Sequence, residues 1–380
     1  MVNVAYFSNQ FSSTNGHGIA RYSWALYRAL ENIGYKKNLF PISSWSDLPQ
    51  NELRKIQKET NLKLLPTGRY GTMLCWSLLQ RPYIERLSKQ DFDVVHAASL
   101  GHPVPTKKRL IYTAHDIGPL THPEYFSHNR PWIMRNALLH AAKKAQVITC
   151  VSKYTASEIE TYCKKEFKID ITHKLQVVYE GVAENFNTEN IETNKNKALE
   201  LRKNNTPYIL GVGKLSPRKN FISVLRAFNT IKNKIEHQLV IVGGNGWDFQ
   251  EIEKVTIELD LKKRVKLLGY VTDEYLVPLY QNASVFVYPS KFEGFGLTIL
   301  EAMACGCPVI TSNTTSPPEV AGNAAVLIDP NSDEELAEAM FSVCDDRVKV
   351  DEMVKMGLQR AVQFSWTDCA TSMIKIYETL

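Results

Sequence analysis

The chain has 380 residues, 44% of them apolar, 22% charged and 10% aromatic, with a formal net charge of +5. This composition excludes a disordered, collagenous or coiled-coil polypeptide, and at roughly 100–200 residues per domain the length predicts two domains. No stretch approaches the roughly 18–20 apolar residues of a membrane-spanning helix, residues 1–16 lack the basic and apolar regions of a secretory leader, and the 7 cysteines form no Cys-x-x-Cys pair, so a cytoplasmic chain with free thiols is expected.

Short apolar, β-branched runs alternate with helical patterns from end to end, which is how parallel sheets are built from βαβ units, and the fold class is therefore α/β. Strands are predicted over residues 2–8, 93–97, 109–114, 146–151 and 175–179, and a helix over 19–33 stops at Gly34. Residues 183–206 are polar and rich in Asn and Lys, with a weak helical pattern in the middle, and read as an interdomain connection. Further strands are predicted over 208–213, 238–243, 264–268, 284–288, 308–311 and 325–328, with Asn220 capping a helix that begins at Phe221 and Ser332 and Glu335 forming a capping box. Two such domains would bind ligands at the carboxyl ends of their strands, in a cleft between them.

The segment Tyr288–Thr311 carries a strand, a loop with Glu293, Gly294, Phe295 and Gly296, and a helix from Leu297 to Gly306. Glycines at a strand-to-helix turn admit a ligand to the backbone, and the N–H groups of the first helical turn favour a phosphate or hydroxyl. Glu293 and Glu301 would offer carboxylates to a hydroxyl-rich group; the alternative is a capped helix with solvent-facing acids. A second loop, Gly213–Lys219, gathers Lys214, Arg218 and Lys219 at another carboxyl end, which suits a diphosphate, the alternative being a basic surface loop.

In the first half, Gly16-His17-Gly18 precedes Arg21, which stands where a dinucleotide fingerprint needs its third glycine, so a nicotinamide cofactor is disfavoured. His115 and Asp116 follow the 109–114 strand: His115 could polarise a substrate hydroxyl with Asp116 orienting it, or be a structural histidine, and His96 is a weaker candidate of the same kind. Asp91 and Asp93 have metal-ligand spacing but precede their strand at the amino end, and no metal is assigned.

Charge divides unevenly, with 24 Lys+Arg against 16 Asp+Glu in residues 1–190 and 21 against 24 in residues 191–380. The basic segment 130–144, which contains Trp132, is expected to pack on the first sheet; the alternative is peripheral contact with an anionic membrane on its inner face.

Taken together, Gly213–Lys219, Gly269–Ala283, Val287–Thr311 and Pro318-Glu319-Val320 resemble the retaining glycosyltransferases of family 4, which have the GT-B fold. Gly18–Tyr22, Ala114–Asp116, Val151-Ser152 and Tyr179–Val182 occupy family positions in order, and Glu293 and Glu301 fill the family's E-x7-E. The resemblance implies two Rossmann-like domains facing a central cleft: an acceptor-binding domain over 1–185, a nucleotide-sugar domain over 186–363, and a helix over 364–380 crossing back to the first. It implies that Lys214 and Lys219 hold a diphosphate, that Glu293 and the backbone of Gly294, Phe295, Gly296 and Leu297 hold the donor sugar, and that Glu301 holds the ribose. Gly18 would approach the phosphate, His115 would contact the transferred sugar, and His17, Arg21 and Asp116 would lie on the acceptor side. Lys214 stands where arginine is commoner in the family, and Asn220 replaces a frequent glycine.

The expected function is retaining, metal-independent hexose transfer, without a cofactor, to a glycan or lipid-linked glycan acceptor in cell-surface polysaccharide or lipopolysaccharide synthesis. GDP-mannose is the expected donor and a UDP-sugar the alternative; an epimerase or hydrolase of sugar nucleotides, or a nucleic-acid or lipid-binding module, are the readings of other classes, with no nucleic-acid partner expected. Since Glu293 and Lys219 fall on loops, alanine at either is expected to abolish transfer and spare the fold.

Overall fold

The computed structural model describes residues 1–13, 18–126 and 131–380. The chain divides into two units, one formed by Met1–Thr121, His128–Gly181 and Ser365–Leu380, the other by His122–Ser127 and Val182–Phe364.

Unit 1 is built on a sheet of β1 (Val4–Phe7), β2 (Leu39–Ser43), β3 (Lys63–Leu64), β4 (Val94–Ala97), β5 (Arg109–Ala114), β6 (Val147–Cys150) and β7 (Leu175–Val177), in the order β3-β2-β1-β4-β5-β6-β7. All its pairings are parallel. A parallel sheet covered on both faces needs apolar residues on both sides of each strand. The central strands meet this need: every residue of β1, β4 and β6 is buried. Strands β2 and β3 escape the sequence pattern because one contains Pro41 and the other is two residues long. Pro41 is accommodated because β3 pairs only with Ile42 and Ser43, leaving the sheet open beside the residue that lacks an N–H.

Unit 2 has a parallel sheet of β8 (Tyr208–Val212), β9 (Gln238–Val242), β10 (Val265–Leu267), β11 (Val285–Tyr288), β12 (Val309–Ser312) and β13 (Ala325–Ile328), in the order β10-β9-β8-β11-β12-β13. Both sheets reverse their winding beside their first strand, between β1 and β4 and between β8 and β11. Such switch points open a crevice at the carboxyl ends of the two strands.

The segment read as a connection contains a helix, Ile191–Arg202, that packs on helix Asp273–Gln281 of unit 2. Ala198 is buried, Asn194 Nδ2 donates to Gln281 at 2.8 Å and Lys197 pairs with Glu274 at 2.8 Å. Its polar sequence concealed this because only a narrow stripe of the helix is covered. Ser332 caps its helix by accepting from the Glu335 N–H, but Glu335 accepts from Asp329, so only half of the capping box forms. Asn220 does not cap with its side chain. It takes a left-handed conformation at φ 60°, ψ 34°, and its Nδ2 donates to the Pro330 carbonyl. Asn tolerates this conformation better than other residues with a Cβ, which explains its presence where glycine is frequent.

Helix Trp366–Thr379 completes unit 1 by packing on helix Gly18–Leu30. It closes a buried polar chain: Tyr377 Oη lies 2.7 Å from His96 Nδ1, His96 Nε2 is 2.7 Å from Thr113 Oγ1, and Thr113 meets Tyr22 Oη at 3.1 Å and Thr149 Oγ1 at 2.9 Å. Burial, reinforced by His115, lowers the His96 pKa to about 3, so this histidine is a neutral structural link. The helix starts against Gly181, where a Cβ would lie 2.2 Å from the Trp366 nitrogen.

Candidate active site

In unit 2 the two strands flanking the switch point lead into the two loops singled out in the sequence. Lys214, Arg218 and Lys219 follow β8, and Glu293 follows β11. The loops are joined by backbone, with Lys291 N–H donating to the Arg218 carbonyl at 2.8 Å. Their side chains form one charge cluster: Glu293 Oε1 accepts from Lys219 Nζ at 2.6 Å and from Arg218 Nη1 at 2.7 Å. Lys219 Nζ also donates to Tyr288 Oη. Glu293 and Lys219 are 7% and 6% exposed, so neither is a solvated surface charge. Burial alone would raise the Glu293 pKa, but Arg218 and Lys219 overcome it and hold the carboxyl at about 2. The anion nearest these cations is thus supplied by the protein itself. Two cations share one carboxylate, and Lys214, exposed and with its Nζ 5.6 Å from the Trp247 ring centroid, adds a further positive charge to the same carboxyl-end region.

This burial overturns one expectation. A loop position does not make Glu293 or Lys219 dispensable for folding, because removing either strands a charge inside the protein.

Beyond Glu293, Gly294, Phe295 and Gly296 are buried, and the Ser316 hydroxyl lies 2.9 Å and 2.8 Å from the carbonyls of Glu293 and Phe295, fixing the turn. Gly296, at φ 104°, ψ 46°, precedes helix Leu297–Ala304, a conformation that disfavours any side chain. Of that helix's first turn, the Ile299 N–H donates back to the Gly296 carbonyl at 2.9 Å; the opening N–H groups of a helix otherwise lack carbonyl partners in the preceding turn, so the site is suited to an oxygen-rich ligand. Glu301 is on this helix and only 2% exposed, which removes the solvent-facing alternative for both acids.

In unit 1, His115 follows β5 with its two ring nitrogens engaged: Nδ1 is 3.2 Å from Glu180 Oε1 and Nε2 is 3.0 Å from the Ala98 carbonyl. The group at Nδ1 is therefore Glu180 and not Asp116, whose Oδ1 accepts from the Gly118 N–H. Tyr22 packs edge-on against the imidazole with centroids 4.6 Å apart, bringing the start of helix Gly18–Leu30, with Gly18 and the partly buried Arg21, to the same end of the sheet. His17 lies outside the described residues. Glu180 had a readable signal, an acid just past the carboxyl end of β7, whereas Tyr22, Tyr288 and Ser316 had none.

Among the described residues no group of three or more His, Cys, Asp or Glu is arranged to hold a metal, and no helix is long and apolar enough to cross a membrane. The seven cysteines are free.

The family model "Glycosyltransferase Family 4" matches residues 16–185 and "Glycosyl transferases group 1" matches residues 192–360. The chain is 32% identical over 375 residues to O-antigen chain mannosyltransferase B of Escherichia coli, covering 96% of each. It is 30% identical over 246 residues to O-antigen chain mannosyltransferase RfbU of Salmonella typhimurium, covering 64% of this chain and 63% of the relative. Among solved structures, Anabaena Alr3699/HepE in complex with UDP and glucose aligns over all of both chains at 18% identity with a TM-score of 0.78. WaaG, a glycosyltransferase involved in lipopolysaccharide biosynthesis, aligns over 98% of this chain and 99% of its own at 14% identity with a TM-score of 0.74. Two Rossmann-like parallel-sheet units of GT-B type, matched in order by both halves of the family and across nearly the whole length of a named relative, make this chain a member of glycosyltransferase family 4.

Proposed function

We propose that the protein is a retaining, metal-independent mannosyltransferase that moves mannose from GDP-mannose to a glycan or lipid-linked glycan acceptor of a cell-surface polysaccharide. The observation that carries this reading is the cation cluster at the unit 2 switch point, Lys219 and Arg218 around Glu293 with Lys214 beside them. Mannose as the sugar is supported by the Escherichia coli and Salmonella relatives, both O-antigen chain mannosyltransferases.

In this proposal Lys214 and Lys219 meet the diphosphate, and negative charge building on the departing phosphate is met by cations already in place. Glu293 keeps Lys219 oriented before the donor arrives and, with the backbone of Gly294–Leu297, accepts and donates hydrogen bonds to the sugar; Glu301 accepts from the ribose. Gly18 leaves room for the phosphate, and His115, held by Glu180 at Nδ1, contacts the transferred sugar through Nε2 when that nitrogen exchanges the Ala98 carbonyl for a sugar hydroxyl. The bond from the anomeric carbon to the phosphate oxygen breaks as the acceptor oxygen bonds on the same face, and the acceptor proton passes to the leaving phosphate. His17, Arg21 and Asp116 remain assigned to the acceptor side.

The test is a panel of GDP-mannose, UDP-glucose, UDP-galactose and UDP-N-acetylglucosamine, scored by thermal stabilisation and by transfer in the presence of EDTA, with the product's anomeric configuration read by NMR. Stabilisation and transfer specific to GDP-mannose, with retained configuration, are expected. Transfer from a UDP-sugar alone overturns the donor, inversion or loss of activity in EDTA overturns the mechanism, and donor consumption without acceptor supports a hydrolase or epimerase.

A further inference from the structure

Among the described residues, Thr315 is the one β-branched residue with a left-handed backbone, at φ 59°. Asn61, Lys89 and Lys203 also have positive φ, but they end helices, where this conformation is ordinary. Thr315 ends no helix. It lies in the loop between β12 and helix Pro317–Ala321 of unit 2, and a side chain branched at Cβ makes the conformation a genuine outlier. Such strain persists only where the surroundings hold it in place, and it gathers at functional sites. The loop is held on both sides: the Asn313 N–H donates to the Ile328 carbonyl at 2.8 Å, and the Ser316 carbonyl accepts from the Val320 N–H at 3.1 Å. Glycine would take this conformation freely and asparagine at little cost, so what threonine adds here is a hydroxyl close to the backbone.

That hydroxyl meets Glu293. The Glu293 N–H donates to Thr315 Oγ1 at 3.3 Å, while the neighbouring Ser316 hydroxyl lies 2.9 Å from the Glu293 carbonyl and 2.8 Å from the Phe295 carbonyl. Every polar group of Glu293 is therefore engaged, its two backbone groups by the 312–316 loop and its carboxylate by Lys219 and Arg218. A trans peptide points its N–H opposite to its C=O, so the Ser316 contacts turn the N–H groups of Gly294 and Gly296 away from this loop. Thr315 fixes the remaining peptide, the one that leads into the turn.

We propose that Thr315 is a positioning residue for the donor sugar: its hydroxyl, carried on a strained backbone, holds the Glu293 peptide so that the 293–296 turn meets the sugar half of the sugar nucleotide, and it takes no part in holding the nucleoside diphosphate. This rests on the proposed function, which assigns that turn to the donor sugar.

The test compares Thr315→Val, Thr315→Gly and Thr315→Ser with the natural protein, measuring Kd for GDP and for GDP-mannose by calorimetry and kcat in a transfer assay. Val keeps the branch and loses the hydroxyl, Gly loses both, and Ser keeps the hydroxyl alone. For Val and Gly, the Kd for GDP should stay within about twofold, while the Kd for GDP-mannose rises and kcat falls about tenfold each, the size of one lost hydrogen bond. Ser should stay within about twofold throughout. The Gly variant should melt within about 3 °C of the natural protein, because relief of strain offsets the lost hydrogen bond, so its loss of sugar binding cannot come from unfolding. Val and Gly variants that bind GDP-mannose like the natural protein, a parallel loss of GDP and GDP-mannose, or a Ser variant that behaves like Val would each overturn the proposal. If the natural chain takes a UDP-sugar, the proposed donor fails and the ratio of UDP to UDP-sugar affinity decides this inference in the same way. Natural protein that binds no sugar nucleotide overturns both.

Discussion

Glu293→Gln should destabilise unit 2 substantially although it alters one functional group in a loop. The substitution keeps the side chain's size and removes its charge, leaving Lys219, 7% exposed at its side chain, and Arg218, 28% exposed, without their shared anion. The natural carboxyl titrates at about 2 instead of 4.5, and at 1.36 kcal/mol per pH unit that difference is worth about 3 kcal/mol. Breaking a buried pair by removing one partner costs about 3–5 kcal/mol, so the two routes agree. With a urea dependence of about 2 kcal/mol per molar, the unfolding midpoint of unit 2 should fall by about 1.5 M at pH 7. The pH dependence has a definite sign. Because folding depresses this carboxyl, its stabilisation is complete above pH 4.5 and lost as pH falls toward 2, so the gap between the natural protein and the Glu293→Gln variant should narrow by about 1 kcal/mol at pH 3.5. Lys219→Met combined with Glu293→Gln should recover part of the loss, since the buried cation goes with its partner. Urea titrations followed by tryptophan fluorescence and circular dichroism would measure all three. A midpoint for Glu293→Gln within about 0.3 M of the natural protein, or a gap unchanged at pH 3.5, would refute the claim that the cluster is a buried, mutually dependent unit.

Lys214→Ala should behave oppositely to Lys219 substitutions: Lys214 is exposed, so melting should be unchanged while the apparent Kd for the sugar nucleotide, measured by calorimetry, rises about tenfold. Glu180→Gln leaves a hydrogen bond to His115 Nδ1 but removes the carboxylate, and kcat in a transfer assay should drop about 10- to 100-fold with little change in donor affinity. Tyr377→Phe removes the partner of His96 Nδ1 inside unit 1 and should cost about 1–3 kcal/mol in urea unfolding, with donor binding preserved.

The sequence is most readable where one requirement dominates. Strands β5 and β13 begin and end where the apolar runs do; in β5 every residue after Arg109 is buried, and a buried parallel strand leaves little room for charge. Strands β2 and β3 were not readable, since Pro41 is permitted only by the short reach of its neighbour, a property of the sheet and not of the segment. The site divides in the same way. The positions of Lys214, Arg218, Lys219 and Glu293 at carboxyl ends follow from the strand pattern, but the pairing of Lys219 and Arg218 with Glu293 depends on β8 and β11 being neighbours, although β9 and β10 separate them in the sequence. The Glu180 contact to His115 likewise spans 65 residues, and short-range reading assigned that place to the adjacent Asp116.

The helix Trp366–Thr379 has a consequence for how the protein is made. Its partners in unit 1, including Tyr22 and His96, are synthesised before all of Val182–Phe364, yet it supplies the hydroxyl that engages His96. At about 5–20 residues per second, ribosomal synthesis of the intervening stretch takes roughly 10–40 s. During that interval the apolar side of helix Gly18–Leu30 has no cover from the end of the chain, while unit 2 emerges with nearly all of its sheet and core continuous. Although unit 1 is translated first, the order of completion is reversed, and the nascent protein holds an open first sheet for as long as the second takes to appear.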